Sequence, residues 1–233
     1  MNVKERSYKK ELLDRDDIPF EDIVTNMKEL NFINTWLGGH QISIQGLQKL
    51  AGNNQVLTIC EIGCGGGDNL VALNKWCLQN NISASFIGID LKEPCIALGK
   101  TRTSLLQNTT WMVNDYRNVV FQSQPDIIFS SLFCHHFTNA QLEDQLQWMK
   151  QNSRIGFFIN DLERNTIAWH LIKALTFLFS SSYLVKNDAP LSVARGFKKK
   201  EWLKLLQSAN LSNCPVNWKW AFRHLVICKH SGQ

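Results

Sequence analysis

No stretch of this chain is apolar for long enough to cross a bilayer. The longest, residues 167–179, carries His170 and Lys173 and falls short of the roughly 20 residues a span requires. No stable membrane insertion is expected. The N-terminal run MNVKERSYKKELLDRDD is charged with no apolar segment behind it, unlike a secretory signal. Clustered charge is scarce as well. The formal net charge is +5 over 233 residues, and apart from Lys198, Lys199 and Lys200 the basic residues are scattered. A solvated helix start accounts for that short run, and without interleaved aromatic and basic residues no nucleic-acid partner is expected. The cysteines, Cys60, Cys64, Cys77, Cys95, Cys134, Cys214 and Cys228, are odd in number and include no C-x-x-C pair. They read as free buried thiols in a reducing cytoplasm. With H-x-x-x-H spacing missing too, no metal is expected.

What remains is an ordinary globular composition, 44% hydrophobic and 19% charged, in a length that suits one well-buried domain. No internal repeat or low-complexity linker interrupts it. Helical spacing of apolar residues over 11–14, 20–36 and 42–50 marks a helical N-terminal cap, broken by Gly38-Gly39. Then the period changes. Short strand-like runs at 55–62, 84–90, 109–114, 126–131 and 155–160 alternate with helical patterns at 68–79, 93–104, 141–151 and 166–179. Such alternation predicts parallel βαβ units with helices on both faces. After a helix at 199–209, two strand-like runs at 216–220 and 222–228 read as a closing hairpin. The expected organisation is a cap over 1–50 and a ligand-binding domain over 51–233, in one globular unit.

The strongest local signal is Glu61-Ile62-Gly63-Cys64-Gly65-Gly66-Gly67-Asp68, set where the first strand ends and a helix begins. Glycines there let the backbone turn sharply and approach a ligand without Cβ clashes, although a tight turn alone would also use them. Asp90 closes the second strand and can accept hydrogen bonds from ribose hydroxyls. Asn114-Asp115 closes the third, where an adenine amino group could be recognised. All would converge at the carboxyl ends of neighbouring strands. A dinucleotide oxidoreductase would carry G-x-G-x-x-G, with its third glycine at position 68. This chain has Asp68, whose carboxylate at a helix start repels a diphosphate and suits a cationic or amino-bearing ligand.

The series E-I-G-C-G-G-G-D, G-I-D and N-D resembles motifs I, II and III of class I S-adenosylmethionine-dependent methyltransferases, over about residues 55–228. The resemblance implies an α/β, Rossmann-like fold with a mostly parallel seven-stranded sheet, an antiparallel C-terminal hairpin and the N-terminal helical cap. It also implies S-adenosylmethionine as cofactor and S-adenosylhomocysteine as product. Glu61, Gly63, Gly65 and Gly67, with Asp68, would frame the amino acid portion of the cofactor. Asp90 would hold the ribose, Leu91 would pack on adenine, and Asp115, with Asn114, would meet its amino group. Ser131, after the fourth strand, is grouped with them. In finer detail, NTWLGGH (34–40), NDLERN (160–165) and NDAPLSVARGF (187–197) resemble bacterial small-molecule methyltransferases that accompany type III polyketide synthases.

Methyl transfer from a sulfonium is an in-line displacement. The protein must align the acceptor, exclude water and, for a hydroxyl acceptor, remove a proton. His135 and His136 follow the fourth strand and Asp161 follows the fifth. An Asp that holds a His in one tautomer is the logic of a base and its orienter, and it resembles some small-molecule and sugar O-methyltransferases. His135 is the first candidate base and His136 the second; in a third reading neither takes a proton and one ring packs beside the cofactor. The apolar helix over 166–179 reads as core or as a lid, with Arg164 and His170 on its early turns as candidate substrate contacts. Arg195, set between Pro and Gly breakers, reads as a loop residue for a phenolate or carboxylate, or as an ordinary surface arginine. Tyr8, Trp36 and His40 of the cap could close the site. The expected reaction is O-methylation of a lipophilic, phenolic or polyketide small molecule by a monomer or homodimer. C-methylation, a dinucleotide oxidoreductase and a non-catalytic binder stay open. The D/N-P-P-Y tetrapeptide of amino-group methylation is absent; S-S-L-F stands there instead.

Overall fold

The computed structural model describes residues 3–15, 17–102 and 104–230. Strands β1 (Val56–Ile62), β2 (Ser83–Asp90), β3 (Thr109–Val113), β4 (Ile127–Ser131) and β5 (Gly156–Leu162) lie parallel in the order β3-β2-β1-β4-β5. β7 (Arg223–Lys229) runs antiparallel to β5, and β6 (Val216–Lys219) antiparallel to β7, completing a seven-stranded sheet. This is the expected methyltransferase-like α/β architecture. β1 and β4 meet at the centre with their order reversed to either side, which opens a crevice at their carboxyl ends.

Alternation along the central strands sorts their side chains onto two covered faces. Cys60, Ile62, Ile128, Phe157 and Ile159 point to one face, against α5 (Asn139–Asn152) and α8 (Lys199–Ser208) through Leu142, Leu146, Met149, Trp202 and Leu206. Leu57, Ile59, Ile127, Phe129 and Phe158 point to the other, against α2 (Gly39–Ala51) and α3 (Asp68–Gln79) through Ile42, Leu47, Leu70 and Leu73. Phe129 and Phe158 stack there with centroids 4.8 Å apart. Burying each such ring contributes about 1.5–3 kcal/mol. Gly46 permits the close approach of α2, because a Cβ at that position would fall 2.5 Å from the Phe158 ring.

The N-terminal segment folds as a short 3-10 turn at Leu12–Asp14 followed by α1 (Phe20–Trp36), which packs on α4 (Glu93–Lys100) through Ile23, Met27 and Cys95. The helical pattern over 93–104 stops at Lys100, and residue 103 lies outside the described residues. Three expectations need correction. Residues 189–196 are not a loop: α7 (Tyr183–Arg195) contains Pro190 in its interior. A proline there removes one helical hydrogen bond, but α7 buries Leu184, Val185, Leu191, Val193 and Ala194, and that packing wins. Cys214 and Cys228 form a disulfide with Cα atoms 4.7 Å apart, brought together by the β6–β7 hairpin; the other five cysteines are free and buried. Finally, α6 (Thr166–Phe179) is no core helix. It buries only Ala168, Trp169 and Thr176, and leaves Phe177, Leu178 and Phe179 exposed. Among the described residues no helix is long and apolar enough to cross a membrane.

Candidate active site

A cavity of about 960 Å³ opens over the carboxyl ends of the parallel strands, with the N-terminal segment and α6–α7 forming its far wall. That volume is at the upper end for small-molecule sites, enough for two ligands side by side.

At one end, β1 delivers Glu61 and the loop that follows it. Gly63 and Gly65 adopt φ of +67° and +52°, and a Cβ at Gly63 would stand 2.2 Å from the Phe133 ring. Only glycine fits that turn without strain. The loop is held from β2: the backbone N–H of Gly65 donates to Asp90 Oδ2 at 2.8 Å, and that of Lys92 to Asp90 Oδ1 at 2.9 Å. Burial raises the Asp90 pKa despite these bonds. Glu61 is buried; its Oε1 accepts from Asn69 at 3.2 Å, while Oε2 has no partner. Desolvation pushes its carboxyl well above the ordinary range, and Asp68 and Asp90 add to the push.

S-adenosylmethionine fits these residues. The orphaned Glu61 oxygen awaits a cation such as the cofactor's ammonium, which would relieve its desolvation. Asp90 is oriented by two amides with lone pairs to spare for ribose hydroxyls. Leu91, 65% exposed at the cavity edge, offers an apolar surface for a base. Asn114, Asp115 and Ser131 also line the cavity. Asp115, however, is paired with Arg117, its Oδ1 accepting from Arg117 Nε at 3.0 Å, and Ser131 Oγ accepts from Asn160 at 3.3 Å. Gly67 does not reach the cavity wall. It sits beneath the loop, where a Cβ would strike Trp111 at 2.5 Å. Asp68 lines the cavity, but Arg102 neutralises it through an ion pair, so its carboxylate repels anions less than the bare sequence implies.

The other end gathers the histidines. His135 is buried, and its Nδ1 lies 2.8 Å from Asp161 Oδ1. The backbone N–H groups of His135 and Leu162 also donate to that carboxylate, at 3.2 and 2.7 Å. Asp161 belongs to β5, which extends to Leu162, two residues beyond the expected strand. Two residues without a sequence signal complete the group: Glu11 Oε1 is 3.5 Å from His135 Nε2, and Asp14 Oδ1 is 3.2 Å from His136 Nδ1. Burial disfavours a charged His135, but Asp161 and Glu11 overcome it and raise its pKa to about 9. Burial likewise opposes the ionised form of Asp14, yet His136 draws its pKa down to about 2.

One face of α7 positions this group. Asp188 accepts from the backbone N–H groups of Leu12 and Leu13 at 2.8 and 2.9 Å, fixing the 3-10 turn. Ser192 Oγ donates to Glu11 Oε1 at 2.7 Å. Arg195 Nε donates to the His135 carbonyl at 3.0 Å and lies 4.0 Å from Glu11. Positions 188, 192 and 195 are spaced to share one helix face. Arg195 thus reaches the cavity from a helix end, its guanidinium already engaged. Arg6 pins this N-terminal strap, residues 3–15, to the loop after β4 and to α7, donating to the carbonyl of Phe137 at 2.7 Å and of Arg195 at 2.8 Å.

Two expected substrate contacts do not line this cavity. Arg164 is buried away from the cavity in a clamp on Glu201, with Nη2 2.7 Å from Oε1. His170 lies on the exposed side of α6 against Trp169. From the same helix, Leu171, Ile172 and Leu175 line the cavity instead. Of the cap residues, Tyr8 lines it, Trp36 is outside it, and His40 ties α1 to α3 through Asn31 and Asn69 at 2.9 and 3.0 Å.

Residues 59–156 match the family model described as a methyltransferase domain, a span from within β1 to the first residue of β5. No curated protein matches the chain significantly. Solved structures do. The plantazolicin methyltransferase, in complex with a monoazolic desmethyl-plantazolicin analogue and S-adenosylhomocysteine, is 15% identical with a TM-score of 0.64 over 90% of each chain. An S-adenosylmethionine-dependent methyltransferase from Aquifex aeolicus is 14% identical with a TM-score of 0.61, over 91% of this chain and 99% of that one. A candidate O-methyltransferase from Nostoc punctiforme is 15% identical with a TM-score of 0.60; this chain covers 57% of its length. At such identities the likeness is one of fold. With the domain match, the chain carries a methyltransferase domain over residues 59–156 on a fold shared with these structures.

Proposed function

We propose that this enzyme methylates a hydroxyl group on a lipophilic small molecule. The observation that supports the reading is the continuity of one cavity, from the glycine loop and Glu61 to the His135–Asp161 pair. Apolar side chains of Leu171, Ile172, Leu175 and Phe222 wall its acceptor end, which suits an aromatic or polyketide-like skeleton.

When bound, S-adenosylmethionine supplies a methyl group already activated for displacement. The rest falls to the protein. Glu61, the Gly63–Gly65 turn and Asp90 hold and orient the donor. The strap around Glu11, pinned by Arg6 and α7, excludes water from the reacting end. Asp161 fixes His135 in the tautomer protonated at Nδ1, leaving Nε2 toward the cavity, where an acceptor hydroxyl would approach. With Glu11 3.5 Å away, that nitrogen holds a proton at neutral pH. Acceptor activation therefore requires that Glu11 turn aside or that another cation replace the proton.

The reading is tested by calorimetric titration with S-adenosylhomocysteine, followed by a methylation screen of phenols and hydroxylated polyketides. Micromolar binding with O-methyl products is the expected result. Binding without transfer to any hydroxyl, but with transfer to carbon or nitrogen, would overturn the acceptor assignment.

A further inference from the structure

The acceptor end contains more organisation than a base and its orienter require. His135 and His136 are each held at Nδ1 by a different carboxylate, Asp161 at 2.8 Å and Asp14 at 3.2 Å. Both turn Nε2 toward a third carboxylate: Glu11 Oε1 is 3.5 Å from His135 Nε2, and Glu11 Oε2 is 3.7 Å from His136 Nε2. One ligand atom from each of the three residues lies within 4.8 Å of the others, and all three residues line the cavity. A histidine that gives one ring nitrogen to a carboxylate while presenting the other to a shared point is the arrangement found around bound metal ions. Here it occurs twice, and α7 adds a further layer by holding Glu11 through Ser192 and the turn through Asp188.

We infer that Glu11, His135 and His136 form a binding site for one divalent ion of the zinc class, facing the acceptor. This rests on the methyltransferase reading above and sharpens its acceptor end. Two imidazoles and one carboxylate match the ligand set of open zinc sites, which keep a further position for water or substrate. Magnesium, which prefers oxygen ligands, is disfavoured. Ligand atoms of a tetrahedral zinc stand about 3.3 Å apart, so these atoms, which lie within 4.8 Å of one another, must draw together by up to about 1.5 Å through side-chain rotation. The ion would lie between His135 Nε2 and Glu11, within reach of His136 Nε2. An acceptor hydroxyl at the open position becomes more acidic and releases its proton to water. Its oxygen then bonds the methyl carbon as the sulfonium C–S bond breaks, with that bond's electron pair remaining on sulfur. Sequence spacing gave no hint of a metal, because Glu11 lies far along the chain from the histidine pair.

The test is cobalt(II) titration of the full chain after chelator treatment, followed by visible absorption, with S-adenosylhomocysteine affinity measured on the same sample. The inference expects d–d bands that saturate at one equivalent and are displaced by Zn²⁺ but not by Mg²⁺. In His136→Ala and Glu11→Gln the cobalt affinity should fall by at least about 100-fold, and in Asp14→Asn by about 10-fold. His136 is partly exposed and Glu11→Gln is isosteric, so both variants should fold, which retained S-adenosylhomocysteine binding verifies. Absence of bands, bands unchanged in both ligand variants, or intense thiolate charge-transfer absorption would each overturn the site. S-adenosylhomocysteine binding without a cobalt spectrum removes the ion and leaves the methyltransferase reading standing. A cobalt spectrum without S-adenosylhomocysteine binding does the reverse.

Discussion

The two ends of the cavity are built in different ways. The end at the glycine loop consists of turns that directly follow β1, β2 and β3, and it is held by backbone amides on Asp90 and by the glycine turn. The histidine end is assembled from side chains of four separate segments: the turn at Leu12–Asp14 with its cap Glu11, the loop after β4, the end of β5 and one face of α7. The first depends on local backbone geometry, which a short motif can encode. The second depends on chain segments meeting only once the whole fold has formed.

Substitutions should separate the two ends. The largest effect is expected from His135→Ala: kcat falls by about 10²–10⁴-fold, while S-adenosylhomocysteine affinity stays within about twofold. Steady-state kinetics alongside calorimetry would check both halves, and a matching loss of affinity would erase the distinction between the ends. Glu61→Gln should act in the opposite sense. Losing a charge-assisted contact of about 1.5–3 kcal/mol lowers S-adenosylhomocysteine affinity by roughly 10- to 100-fold.

The same Glu61 makes a linkage prediction. Its pKa is raised in the free protein by burial, and a cationic partner lowers it. Between those two values binding releases a proton, so affinity rises with pH above the ordinary carboxylate range near 4.3. Titration in two buffers of different ionisation enthalpy measures the release; Glu61→Gln should abolish it, and a release that persists there belongs to another group.

Smaller effects lie outside the cavity. Arg164→Ala leaves Glu201 without its clamp, and because that carboxylate is partly exposed the cost is about 1–2 kcal/mol. That corresponds to a fall in Tm of about 2–8 °C for a chain of this size, readable by thermal melts with cofactor affinity retained. His170→Ala should change neither kcat nor KM by more than about twofold; a larger rise in KM would return that exposed residue to the acceptor site.

Much of this was legible beforehand. The sheet, most of its helices and the closing hairpin follow from periodicity, Glu61, Gly63 and Gly65 from the loop motif, Asp90 from the end of the second strand and Leu91 from the resemblance, and all five residues reach the cavity. His135 and Asp161 also meet as their places after successive strands imply. The failures have physical causes. Pro190 signals a break, yet the burial of α7 overrides it, so the face carrying Asp188, Ser192 and Arg195 was hidden inside an expected loop. Arg164 sits near the expected site in sequence but turns toward Glu201 in space. The Cys214–Cys228 disulfide has no spacing signature, because a hairpin rather than a motif aligns the two residues.

By itself the sequence determined the fold class and the convergence of the glycine turn with Glu61 and Asp90 at the carboxyl ends of the strands, because period-two and helical patterns and a glycine turn act over a few residues. Only the tertiary structure decided what surrounds the histidine pair. Glu11 and Asp14 carry no local signal; they reach His135 and His136 because α7 docks the N-terminal strap across the carboxyl end of the sheet, and no spacing along the chain records that contact.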